Sequence, residues 1–267
     1  MKSPAPRGRM ALLALGVALG RSGAMAKLAI GIGALTCFGT AIVGVVMAQT
    51  EAHPPLADLP GLTAELLAWG AGVLLAFAAA AHALRRDREQ GIQALLRSRG
   101  RDAHGYIWGR VGGLALLLGI VVGGGTLFTG IVATLAARHF GLAAQTLQGT
   151  GAGLAFAVAF SATLAPIAMA ALGARSRAGG YAWLVGILVL PELLAGWTGA
   201  ILPRTWSSVL SIPSALSTLR SSLMPSAFDV AAFARAFVVL AVVCVLALVF
   251  VHSQLARVEG ETALGPQ

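Results

Sequence analysis

RRDREQGIQALLRSRGRDAHGYIWGR, residues 85–110, separates two long apolar stretches and decides how the rest of the chain is read. Seven of its residues are Arg. At the centre of a bilayer each would cost about 2.5–3.5 kcal/mol, on the order of 20 kcal/mol together. The segment therefore lies in water, and the apolar runs on either side of it meet a membrane from the same face.

Composition agrees with that membrane. The chain has 267 residues, 57% hydrophobic and 11% charged, with a mean hydropathy of +0.83; a soluble domain carries about 25% charged residues. The 34 glycines fit helices that pack closely through small side chains. A formal charge of +9 does not make the chain a nucleic-acid reader, because no soluble basic face or nucleic-acid-binding motif accompanies it. Cys37 and Cys244 each lie alone in an apolar run, which excludes a disulfide framework or a CxxC metal site.

Six runs are long enough to cross a hydrocarbon core of about 30 Å: roughly 28–48, 62–84, 107–136, 149–173, 181–201 and 234–252. With an outward return after each pair, Lys2, Arg7, Arg9, Arg21, Lys27, the seven Arg of 85–110, Arg175, Arg177 and Arg257 share one side, fifteen of the nineteen basic residues. Only Arg138, Arg204, Arg220 and Arg235 fall on the other. The imbalance places both termini in the cytoplasm.

Residues 1–27 have the parts of a secretory signal peptide: a basic start, the apolar MALLALGVALG at 10–20, and Ala24-Met25-Ala26. The alternative is an uncleaved interfacial helix, too short to cross, anchored by Arg21 and Lys27. That alternative is favoured, because cleavage would remove much of the charge that orients the first span. The six-span region is then 28–252, followed by a cytoplasmic tail, 253–267. Of the outer connections, 49–61 is a short acidic tether rich in Pro, without apolar periodicity. Residues 202–233 are cut by Pro203, Pro213 and Pro225 into pieces with helical apolar spacing, such as Ile212, Leu216 and Leu219. Such a broken segment can re-enter the outer leaflet where protein covers its ends. The expected fold is all-α: six transmembrane helices, an N-terminal interfacial helix and this outer segment.

Local signatures of catalysis are missing. Lys2 and Lys27 are the only lysines and neither lies in a phosphate-binding Gly-Lys-Ser/Thr context, so the chain has no P-loop for ATP. HExxH and GxSxG are absent, and His53, His82, His104, His139 and His252 are scattered, unlike a metal cluster. Neither catalytic residues nor a directly bound cofactor or metal is expected. In contrast, the 85–106 part of the basic loop reads as a short amphipathic helix, with Asp87 able to cap it and Ile92, Leu95 and Leu96 forming one apolar patch. Such a patch rests on a membrane surface or fits a groove on a soluble partner.

EQGIQALLRS followed by YIWGR resembles the signature region of the type-2 ABC transporter permeases: a Glu, a Gly-Thr pair, a Leu-Leu pair, a Ser-Pro and a Gly-Lys entering the third span. Glu89, Gly91, Leu95, Leu96, Ser98 and Gly109 stand at the matching positions, with Ile92 for Thr, Arg99 for Pro and Arg110 for Lys. GARSRAGGYAWLVGILVLPELL, residues 173–194, is similar to the family's basic turn between the fourth and fifth spans. The resemblance implies a permease subunit of the bacterial inner (cytoplasmic) membrane, an exporter, not itself an enzyme. It implies a dimer with a second permease chain, identical or related, and a cytoplasmic ABC ATPase subunit through which ATP acts. Glu89, Gly91, Ile92, Leu95, Leu96 and Ser98 would form the ATPase contact.

Pro191 and Glu192 are the candidate transport path or gate, since an acid far inside an apolar run is expensive and usually functional. The plainer alternative is that Pro191 kinks the fifth span and Glu192 is held by freed backbone groups. Two rival functions follow from other classes: an ion-coupled secondary transporter or channel using Glu192, and a non-transporting scaffold whose basic loop binds lipid or an assembly partner. Glycines four apart, Gly105, Gly109 and Gly113, and Gly119 and Gly123, suit close helix contacts, within one subunit more readily than between two.

Overall fold

The computed structural model describes residues 6–49, 56–81, 83–92, 95, 98, 103–138, 140–173, 177–198, 210–224 and 229–263. Its helices are α1 (Pro6–Arg21), α2 (Ala24–Gln49), α3 (Leu59–Leu67), α4 (Val73–Ala80), α5 (Ala83–Glu89), α6 (Ala103–Ala136), α7 (Phe140–Leu172), α8 (Arg177–Thr198), α9 (Ile212–Ser221) and α10 (Val230–Ala263). A wider π-helical stretch, Ala68–Gly72, joins α3 to α4 without a break. No strand occurs among the described residues.

Five helical segments are long and apolar enough to cross a membrane: Ala24–Gln49, Leu59–Ala80, Gly105–Ala136, Phe140–Leu172 and Val230–Leu255. They coincide with five of the six expected runs, and the chain is an all-helical membrane protein. The run expected at 181–201 falls on α8, whose apolar part is Gly179–Leu194. α8 as a whole has 22 residues, about 33 Å at 1.5 Å per residue.

α6 and α7 form the centre and run antiparallel, with Gly123 against Ala157 and Gly119 against Ser161. Hydroxyls along this seam bond their own helix: Thr126 donates to the Val122 carbonyl, Thr150 to Thr146 and Ser161 to Ala157. These polar groups are thereby satisfied inside an apolar bundle and need no partner across it. The α3–α4 unit runs beside α7, where Trp69 meets Phe160 edge to face at 5.5 Å. On the far side α10 follows α7, held by Gln254 Nε2 donating to the Ala170 carbonyl at 3.1 Å.

α1 packs along the first part of α6 in the same direction, with Leu12 and Leu13 over Gly109 and Gly112, and Gly20 over Leu117. A Cβ on Gly113 would come within 2.6 Å of the Gly16 backbone, so the two helices touch through bare main chain. The seat of α1 is therefore a protein groove, and Gly109, Gly112 and Gly113 of α6 make their close contacts within the subunit. The 49–61 tether also differs from a free connection. Its second half turns inward, where Leu56 and Leu59 are buried with Ala133 under Met47 and Leu142.

Candidate functional site

A buried ion pair joins α5 to α6. Arg110 Nε and a terminal guanidinium nitrogen donate to the two carboxylate oxygens of Asp87, each at 2.5 Å, and the Tyr106 hydroxyl donates to Oδ2 at 2.8 Å. Asp87 is fully buried and Arg110 is 5% exposed. Asp87 thus caps no loop helix; it lies inside α5 and staples the end of the second span to the start of the third. Tyr106 and Arg110 are four residues apart on α6, which puts both on the face turned toward α5. The carboxylate is compensated by a planar fork, the geometry in which a buried charge is tolerated.

Glu89 ends α5 and is exposed; Gly91 follows with φ +68°, a left-handed turn that L side chains avoid. A new helical turn starts there, with the Leu95 amide donating to the Gly91 carbonyl at 2.9 Å. Ser98 donates to the Leu95 carbonyl at 2.8 Å. The expected patch of Ile92, Leu95 and Leu96 is divided. Ile92 faces Leu12, Leu15 and Leu19 of α1 and Tyr106 of α6, whereas Leu95 is 54% exposed. Leu96 and Arg99 lie outside the described residues. One further bond joins this region to α7: the Leu84 amide donates to the Gly173 carbonyl at 3.2 Å. The basic turn at 174–176 also lies outside the described residues.

At the opposite end of the bundle, α8 runs through Pro191 as helix. The Glu192 carboxylate accepts from the hydroxyl of Ser214 at 2.9 Å and from that of Ser211. Ser211 is the N-cap of α9, its oxygen accepting from the Ser214 amide at 3.0 Å. α9 buries Ile212, Leu216 and Leu219, the positions whose spacing suggested a helix. Its polar face, Ser214, Ser217, Thr218 and Ser221, lines an open pocket of about 460 Å³ with Glu65, Trp69 and Glu192. Arg220 closes the other end, Nε donating to Glu65 Oε1 at 2.9 Å.

Sequence reasoning singles out Glu192 and misses Glu65, Trp69, Arg220 and the two serines. Glu65 sits just inside the second apolar run, and the acid itself is the available signal; its pairing with a cation 155 residues away is not visible there. Among the described residues no group of three potential metal ligands occurs. No family model, curated protein or solved structure matches the chain.

Proposed function

We propose that the chain is the membrane-spanning permease subunit of an ABC transporter, an exporter of the bacterial inner membrane. It works as a dimer with a second permease chain, and a separate cytoplasmic ABC ATPase supplies the energy of ATP. In this reading α8 makes the fifth of six crossings, both termini are cytoplasmic and Leu95 with Leu96 presents an apolar contact to the ATPase.

The buried Asp87–Arg110 fork carries the proposal. A loop that only rested on lipid would need no rigid tie to the spans, whereas a loop that receives a push must pass it on. Displacement at Leu95 reaches α6 through Arg110, α1 through Ile92 and α7 through Leu84 and Gly173. Packed interfaces of this kind move as units. Glu89, Gly91 and Ser98 then shape the contact helix, with Gly91 setting its direction.

A second reading, ion-coupled transport without ATP, is favoured by one observation: among the described residues Glu192 has hydroxyl donors and no cationic partner. Isolation from native membranes separates the two. A P-loop ATPase copurifies with the permease and is lost on Leu95→Asp with Leu96→Asp; ion flux by the purified chain alone, without ATP, would replace this proposal with the second.

A further inference from the structure

We infer that the pocket between α3, α8 and α9 binds an organic ammonium ion, with Glu192 as its counter-charge. The inference names a substrate class for the proposed permease and rests on that reading only for its physiological meaning.

Charge comes first. Of the two carboxylates on the pocket, Glu65 is neutralised by Arg220 at 2.9 Å, which leaves Glu192 as the uncompensated one among the described residues. Its donors are the neutral hydroxyls of Ser211 and Ser214, both on Oε2. Glu192 is exposed toward the open side of the pocket, where a cation can reach its carboxylate and pair with it.

Size and lining favour an organic cation over a bare ion. A volume of about 460 Å³ is much more than a metal ion fills, and it falls in the range of roughly 300–1,000 Å³ typical of small-molecule sites. Three serine hydroxyls on one face of α9, Ser214, Ser217 and Ser221, can accept from ammonium N–H groups. Trp69 offers an indole beside them, held in place by its edge-to-face contact with Phe160. An indole next to a carboxylate is a favourable setting for a protonated amine that also carries apolar surface.

The test uses the full chain in phosphatidylglycerol nanodiscs, which contain no amine, and radiolabelled 2-phenylethylamine at neutral pH. Saturable binding is expected, weakened at least tenfold by Glu192→Gln and restored in part by Glu192→Asp. Trp69→Leu, which leaves the carboxylate and its serines in place, weakens binding severalfold and serves as the readout if Glu192→Gln fails to fold. Adding phosphatidylethanolamine distinguishes two sources of the same chemistry: competition assigns the pocket to a lipid headgroup, and its absence to a soluble amine. Equal binding of phenylacetate, or affinity unchanged in both Glu192→Gln and Trp69→Leu, would overturn the inference. ATPase copurification is independent of every one of these outcomes, so failure here and failure of the transporter reading are told apart.

Discussion

Arg110 closes a bidentate fork on Asp87 across 23 residues of sequence, and the pair ties the two ends of the basic loop together inside the protein. Each partner is buried, and each is the other's counter-charge. Removing one leaves an uncompensated ion, which typically costs about 3–5 kcal/mol. Asp87→Ala and Arg110→Met are each expected to lower the thermal midpoint of the purified chain strongly. The double substitution Asp87→Leu with Arg110→Met recovers most of that loss, because no charge then remains buried; thermal unfolding of the three variants checks it.

Arg110→Lys separates stability from geometry. Lysine keeps the charge and loses the planar fork that meets both carboxylate oxygens at once. The expected result is a chain that folds, with a smaller loss of thermal stability than Arg110→Met, but with a looser loop. Hydrogen exchange of the amides of 88–98 should accelerate relative to the native chain, while those in the middle of α7 stay unchanged.

Close approach of α1 and α6 gives a third prediction. Gly113→Leu places a branched side chain where the Gly16 backbone lies, and Gly31→Leu places one where nothing is within 4 Å. Overpacking of a tight contact costs about 1–3 kcal/mol. Gly113→Leu should therefore destabilise the chain and release α1 to proteolysis, whereas Gly31→Leu on α2 is close to neutral in the same assays.

Gly91 is restricted by its backbone alone: φ is +68°, and a Cβ added there would meet nothing within 4 Å. Left-handed geometry costs an L residue about 1–2 kcal/mol. Gly91→Ala should leave the global midpoint nearly unchanged, since the strain is confined to the loop. It should weaken ATPase copurification by redirecting Leu95, and a pull-down against the native chain measures this.

Much of the architecture is legible from local sequence because lipid imposes a simple rule. Length and apolarity suffice to find α2, the α3–α4 unit, α6, α7 and α10, and the spacing of Ile212, Leu216 and Leu219 suffices for α9. Asp87 misleads for the opposite reason. A local pattern makes it a helix cap, and only the return of α6 with Tyr106 and Arg110 makes it the acceptor of a buried fork. Ile92 and Leu95 look alike in an amphipathic pattern, yet α1 covers one and leaves the other exposed. Glu65 and Arg220 meet from opposite ends of the chain, and periodicity carries no information about such a meeting.

The proposed contact between Leu95 and an ATPase subunit can be tested directly. A photoreactive benzoylphenylalanine is placed at position 95, irradiated in native membranes, and its products are identified by mass spectrometry. The expected product is a cross-link to a P-loop ATPase subunit, abolished when position 96 is changed to Asp. Cross-links to lipid alone, in membranes where the ATPase is present, would contradict the coupling role of the loop.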